Sequence, residues 1–133
     1  RGLGDVYKRQ TLDTLEYLIK GGRIGKARAL LGTFLKIKPL IVLRNGEVHE
    51  LGKERSRTRA IDRLIRETER FAPIDQLCVL YSTTQEEAGE VAYGMKHLLV
   101  EGKEPMVAQF GPILGTYVGP NTLGIALQRV SQP

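Results

Sequence analysis

The apolar positions of the chain change period along its length, and those changes divide it into elements. From Thr11 to Lys20, Leu12, Leu15, Leu18 and Ile19 recur at helical spacing, and Gly21-Gly22 supplies a stop. A second helical stripe runs through Ile24, Ala27, Leu30, Leu31, Phe34 and Leu35, with Gly32 in its middle and Pro39 marking its end. KPLIVLRNGEVHELGKER holds two strand-like runs around Asn45-Gly46, a dipeptide that readily takes the positive φ angles of a tight hairpin. SRTRAIDRLIRETERFA places Ala60, Ile61, Leu64, Ile65 and Phe71 on one face of an amphipathic helix, with a cap near Ser56. DQLCVLYS is a continuous apolar run suited to a buried strand. TQEEAGEVAYGMKHLLVEG reads as the helix after it, capped by Thr84 and with Glu86 and Glu87 complementing its dipole; strand then helix suggests a crossover unit. In EPMVAQFGPILGTYVGPNTLGIALQRV, Gly, Pro and Asn separate three short apolar runs, which predicts strands joined by glycine-rich turns. The predicted fold class is α/β, a mixed β-sheet packed with helices.

At 133 residues, 41% hydrophobic and 26% charged, the chain is long enough for one domain with a real core. The first ten residues, RGLGDVYKRQ, stand apart: they show no helical stripe, no strand alternation, no cap and no apolar run of a signal peptide. Back-translated with permissible codons, Arg1–Gln10 resembles the transposon adapter used to prepare DNA libraries for sequencing. The expectation is therefore an artefact at residues 1–10 that joins no core, followed by a domain at residues 11–133. Arg1, Lys8 and Arg9 against Asp5 supply two of the five net positive charges, which weakens any argument for nucleic acid from charge alone. The single cysteine, Cys78, sits in an apolar run where a buried thiol is usual. It excludes a disulfide within the chain and fits a reducing, cytoplasmic setting. No apolar stretch approaches the roughly 20 residues that span a bilayer.

Catalytic chemistry finds little purchase. KGGRIGKA invites a phosphate-loop reading, but Lys20 stands where that loop needs Gly and Ala27 where it needs Ser or Thr. His49 and His97 have no second histidine at ligand spacing, so no metal or other cofactor is expected. The run KERSRTR could meet nucleic acid but lacks interleaved aromatics, and such a loop is commonly just solvated. Glu86 with Glu87 and Glu67 with Glu69 read as solvated helix carboxylates, and Ser56, Ser82 and Ser131 lie in no nucleophile elbow.

At LEYLIKGGRIGKARALLGTFLKIKPLIVLRNGEV and again at FGPILGTYVGPNTLGIAL, the order of motifs resembles the carboxy-terminal domain of DegV-family fatty-acid-binding proteins, from Thr11 to Gln128. The distinctive parts are Gly21-Gly22-Arg23, Gly32 followed by KIKP at 36–39, and GTYVGP at 115–120. The resemblance implies the carboxy-terminal lobe of a two-lobed clamp that holds one long-chain fatty acid. Some such clamps present the acid to a fatty acid kinase; the clamp itself is a carrier and not an enzyme. It further implies that hydroxyls of an amino-terminal lobe, which would precede Thr11, supply much of the carboxylate recognition. In this lobe it implies lipid contacts at Thr116 and Tyr117, and an acyl wall from Leu31, Phe34, Leu35 and Ile37. For any one of the apolar four, plain core packing is the better reading. Arg23, flanked by glycine, is the candidate for meeting an anionic partner or phosphate. Tyr117 stands where many members have a head-group histidine, and Asn121 replaces a frequent glycine. The alternative function is a basic regulatory or nucleic-acid-binding module.

Overall fold

The computed structural model describes residues 6–27 and 37–130. Its centre is a six-stranded sheet of β1 (Val6–Thr11), β2 (Lys38–Arg44), β3 (Glu47–Glu54), β4 (Ile74–Tyr81), β5 (Met106–Gln109) and β6 (Leu123–Arg129), in spatial order β3-β2-β1-β6-β4-β5. All neighbours pair antiparallel except β4 and β5. That parallel pair is joined through α3 (Gln85–Gly94), the crossover the sequence predicts. Asn45 (φ 52°) and Gly46 (φ 76°) turn β2 into β3 as the tight hairpin requires.

Consecutive strand residues point to opposite faces, and the core divides accordingly. Leu40 joins Leu64, Leu77, Val79, Ile125 and Leu127 on the face covered by α2 (Arg57–Glu69) and α3. Ile41 joins Leu12, Leu18, Ile24, Phe110 and Val118 on the other, where α1 (Glu16–Lys20) packs against α4 (Pro112–Val118). α2 matches its expected span, and the Ser56 hydroxyl accepts the Arg59 amide at 3.2 Å as its cap.

Several expectations need correction. Val6–Gln10 were expected to join no core, yet with Thr11 they form β1, the strand between β2 and β6. A strand flanked on both sides is held by main-chain hydrogen bonds, which any non-proline sequence supplies, so the missing side-chain alternation did not prevent pairing. The boundary drawn between residues 10 and 11 falls inside this strand. The first helix begins only at Glu16, because Thr11 is claimed by the sheet, its hydroxyl donating to the Pro39 carbonyl at 3.0 Å. Ile24–Lys26 are not helical: Lys26 bridges to His49, beside β3, and helical backbone starts only at Ala27, whose amide donates to the Ile24 carbonyl at 3.1 Å. The rest of that stripe, with Gly32, lies outside the described residues. Pro39 ends no helix but lies in β2. Thr84 occupies the cap position of α3 without a side-chain cap bond. PILGTYV, read as a strand, is α4: Gly111 caps it in extended backbone and Pro112 opens it, where a missing N–H costs nothing. No helix among the described residues is long and apolar enough to cross a membrane.

Candidate functional site

The site is built on the end of α1. After Lys20 the chain turns back through a complete glycine-terminated cap: the Gly22 amide donates to Ile19 and the Arg23 amide to Leu18, at 3.0 and 2.8 Å. Gly22 sits at φ +69°, in the left-handed region that an L side chain avoids. Arg23 is thereby fixed in backbone between buried Leu18 and buried Ile24, while its own side chain is exposed. Its guanidinium carbon lies 4.9 Å from the centroid of the Tyr117 ring, within cation–π range. Tyr117, half-buried, comes from the last turn of α4, where buried Val118 anchors the helix.

Thr116, the neighbouring residue, serves a different surface. Its hydroxyl donates to the Pro112 carbonyl one turn earlier at 2.9 Å. It lines an open cleft of about 450 Å³ shared with Tyr17, Ser82, Thr83, Gln109 and Pro120. Ser82 and Thr83 follow β4, and their hydroxyl oxygens accept the amides of Thr122 and Asn121 at 2.8 and 2.9 Å. Gln109 donates from its side-chain amide to the Ser82 carbonyl at 3.3 Å. The turn that follows α4 is thus bolted to the carboxyl end of the parallel pair. Asn121, at φ +59°, occupies the conformation that explains why a glycine can stand there, since Asn tolerates it better than most residues.

Electrostatics tie the same turn to the helices. Arg57 grips Glu87 with two bonds, Nε to Oε2 at 2.8 Å and Nη2 to Oε1 at 2.5 Å, and its Nη1 donates to the Asn121 carbonyl at 2.6 Å. These bonds hold the Glu87 carboxyl below its usual range and raise the Arg57 guanidinium above its own. Neither group fits its solvated reading, and the basic run loses Arg57 to this clamp. Glu67 is likewise mostly buried, lying 3.1 Å from Arg70 and 4.0 Å from Arg9. Cys78 is partly buried, and desolvation pushes its thiol up, away from a reactive thiolate. Among the described residues no three His, Cys, Asp or Glu side chains gather as a metal site.

Of the residues singled out from sequence, Arg23 and Tyr117 come together, although they were assigned separate roles. Thr116 lines the adjoining cleft, and Ile37 is half-buried just before β2. Leu31, Phe34 and Leu35 lie outside the described residues. Sequence reasoning did not bring together Tyr17, in α1, with Ser82, Thr83 and Gln109, whose only signal was their position at the ends of β4 and β5. Two exposed apolar side chains border the pair along the chain: Ile19, four residues before Arg23, and Leu114, three before Tyr117, each 48% exposed.

Comparison with known proteins bears on all of this. The family described as "Uncharacterised protein, DegV family" matches residues 8–130. A DegV domain-containing protein of Clostridium acetobutylicum is 35% identical over 118 residues, covering 86% of this chain and 40% of that protein. One from Streptomyces coelicolor is 34% identical over 119 residues, covering 87% and 42%. A DegV family protein from Thermus thermophilus, solved as a fatty-acid binder, superposes with a TM-score of 0.81 at 30% identity, over 95% of this chain and 46% of its own. DegV from Bacillus subtilis, described as a fatty acid binding protein, gives 0.73 at 27% identity, over 94% and 45%. The chain spans less than half the length of these relatives.

Proposed function

Because this chain belongs to the DegV family, we propose that it is the carboxy-terminal lobe of a carrier that holds a long-chain fatty acid, with Arg23 and Tyr117 at the carboxylate. The supporting observation is the position of the Arg23 guanidinium over the Tyr117 ring, 4.9 Å from its centroid. A cation seated over one face of an aromatic ring keeps N–H groups available for an anion, and a carboxylate, like a phosphate, can take them in pairs. Exposed Ile19 and Leu114 add apolar surface to the same two helices, and an acyl chain gains about 0.8 kcal/mol per methylene it buries. This reading reassigns Arg23 from docking a partner to gripping the ligand. Thr116 would contribute through the adjoining cleft, and Leu31, Phe34, Leu35 and Ile37 would wall the acyl chain. The remaining half of the clamp, its hydroxyls for the carboxylate and the presentation of the acid to a fatty acid kinase belong to the same proposal. So does the origin of residues 1–10 in an adapter sequence.

The test restores the missing half from a relative and measures the fatty acid that co-purifies, by mass spectrometry, and its affinity, by titration. Arg23→Ala is expected to weaken binding by at least about tenfold, the loss of a charge-assisted pair worth roughly 1.5–3 kcal/mol. Arg23→Lys should recover part of it, keeping the charge but not the fork. Equal affinities in all three proteins would remove Arg23 from the ligand site. Failure of the wild type to retain any fatty acid would remove the function itself.

A further inference from the structure

Gly21 and Gly22 are adjacent, yet the structure demands glycine at each for a different reason. Gly22 has the left-handed φ described above. Gly21 has φ −86° and ψ 0°, a conformation alanine adopts without strain, and at the end of a helix alanine would be the better residue. What excludes a side chain at 21 is space. A Cβ built there would overlap Cδ1 and Cε1 of Tyr117, whereas one at Gly22 would meet nothing among the described residues. The contact is reciprocated at the other end of the pair, where a Cβ on Gly119, the residue closing α4, would run into the ring of Tyr17. Each helix therefore ends in a glycine on which a tyrosine of the other helix rests. Arg23 stacks on the ring seated over Gly21.

We infer that Gly21 is a positioning residue for the Arg23 guanidinium, acting through the Tyr117 ring. Gly21 sets how close α1 comes to α4, that approach sets where the ring lies, and the ring sets where the guanidinium rests. The inference depends on the lipid reading only for the identity of the anion that Arg23 meets. A methyl group at 21 would push the ring out and leave Arg23 a mobile surface cation.

The test is a double-mutant cycle in the full 133-residue chain, with Gly21→Ala, Tyr117→Ala and the pair together. Three readouts are taken: the urea midpoint, the ring-current shift of the Arg23 side-chain proton signals, and the response of those signals to added decanoate. Wild type and Tyr117→Phe should show Arg23 protons displaced by the ring, and Gly21→Ala and Tyr117→Ala should both lose the displacement. Gly21→Ala should lower the urea midpoint when Tyr117 is present and leave it level or higher when residue 117 is Ala. Should Gly21→Ala alone fail to fold, the double variant should fold, because the obstructing ring is gone. A ring-current shift that survives Gly21→Ala, equal destabilisation in both backgrounds, or a double variant that fails to fold would each overturn the inference. In wild type, a shift that Gly21→Ala abolishes without any decanoate response would uphold Gly21's role, and the identity of the anion is then read from the two-lobed protein in which the missing half is restored.

Discussion

Arg9 lies in β1 between Val42 and Ile125, both buried, and faces the layer covered by α2. Its side chain is only 14% exposed, its Nε has no hydrogen-bond partner among the described residues, and the Glu67 carboxylate at 4.0 Å is too far to supply one. Contact with Phe71, 4.7 Å from guanidinium carbon to ring centroid, compensates in part, and desolvation still lowers the Arg9 pKa. Gln10, 5% exposed beside Gly124, carries a second atom, Oε1, with no partner among the described residues. The position between Val42 and Ile125 suits an apolar β-branched residue. Arg9→Ile is therefore expected to stabilise the chain by roughly 1–2 kcal/mol, since replacing an ill-satisfied buried charge with a well-packed apolar group is commonly favourable. A urea midpoint that rises with an unchanged slope would show it; a lower midpoint would mean that the stack on Phe71 outweighs the unmet polar atom. Residues of this kind are illegible in sequence, because neighbouring strands alone decide that position 9 is interior. Gly22 was legible, since a glycine pair after a helical stripe reads as a cap. Gly21's reason was not, since it lies in a ring nearly a hundred residues away.

Elements were legible in proportion to how much of their pattern was their own. The hairpin around Asn45-Gly46 needs two positive φ angles and advertises them, and α2 carries its cap and its stripe within one stretch. α4 was misread because ILGTYV has only two turns in which to show a period, and its start is set by Gly111 and Pro112 rather than by polarity. β1 was missed for the opposite reason: its place in the sheet depends on β2 and β6, not on itself. That dependence runs both ways. Without Val6–Gln10, β2 and β3 lose their hydrogen-bonded link to β6, β4 and β5, and Tyr7 no longer stacks on Phe71 at 4.4 Å. Deleting residues 1–10 is therefore expected to abolish cooperative unfolding, leaving weak near-ultraviolet circular dichroism and no sharp urea transition. An unchanged transition would show that the strand contributes nothing to stability, whatever its position. Replacing Lys8–Gln10 with Val-Ile-Val, by contrast, should preserve the transition, because the main-chain pairing is retained.

At the scale of the whole molecule, fold class was readable because the strand–helix alternation survives in composition. The site was readable only as separate motifs, because Arg23 and Tyr117 meet through a helix pair whose packing no local pattern encodes. Arg57 couples the layers on the two faces of the sheet, joining the start of α2 to Glu87 in the first turn of α3 and to the turn after α4. Both side chains are only about a quarter exposed, at 28% and 27%, so the pair is less screened than the surface bridges elsewhere, such as Lys20 with Glu16. The Glu87 carboxyl is held below its usual 4.5 by the Arg57 bonds, so the native chain gives up this proton more readily than the unfolded one. The stabilisation is accordingly complete above the unfolded value, starts to fall as the pH drops below about 5, and is gone once the pH passes beneath the lowered native value. Glu87→Gln, which keeps the shape but not the charge, should cost about 1–2 kcal/mol at pH 7. Its deficit relative to wild type should shrink as the pH falls below about 5, where the unfolded chain takes up this proton while native Glu87, its carboxyl held lower by Arg57, stays ionised. Urea titrations of both proteins at several pH values measure that difference directly and cancel the acid response of every other group. A deficit that stays constant to pH 3 would mean that Glu87 stabilises by packing alone, and that the turn carrying Asn121 is held without the help of charge.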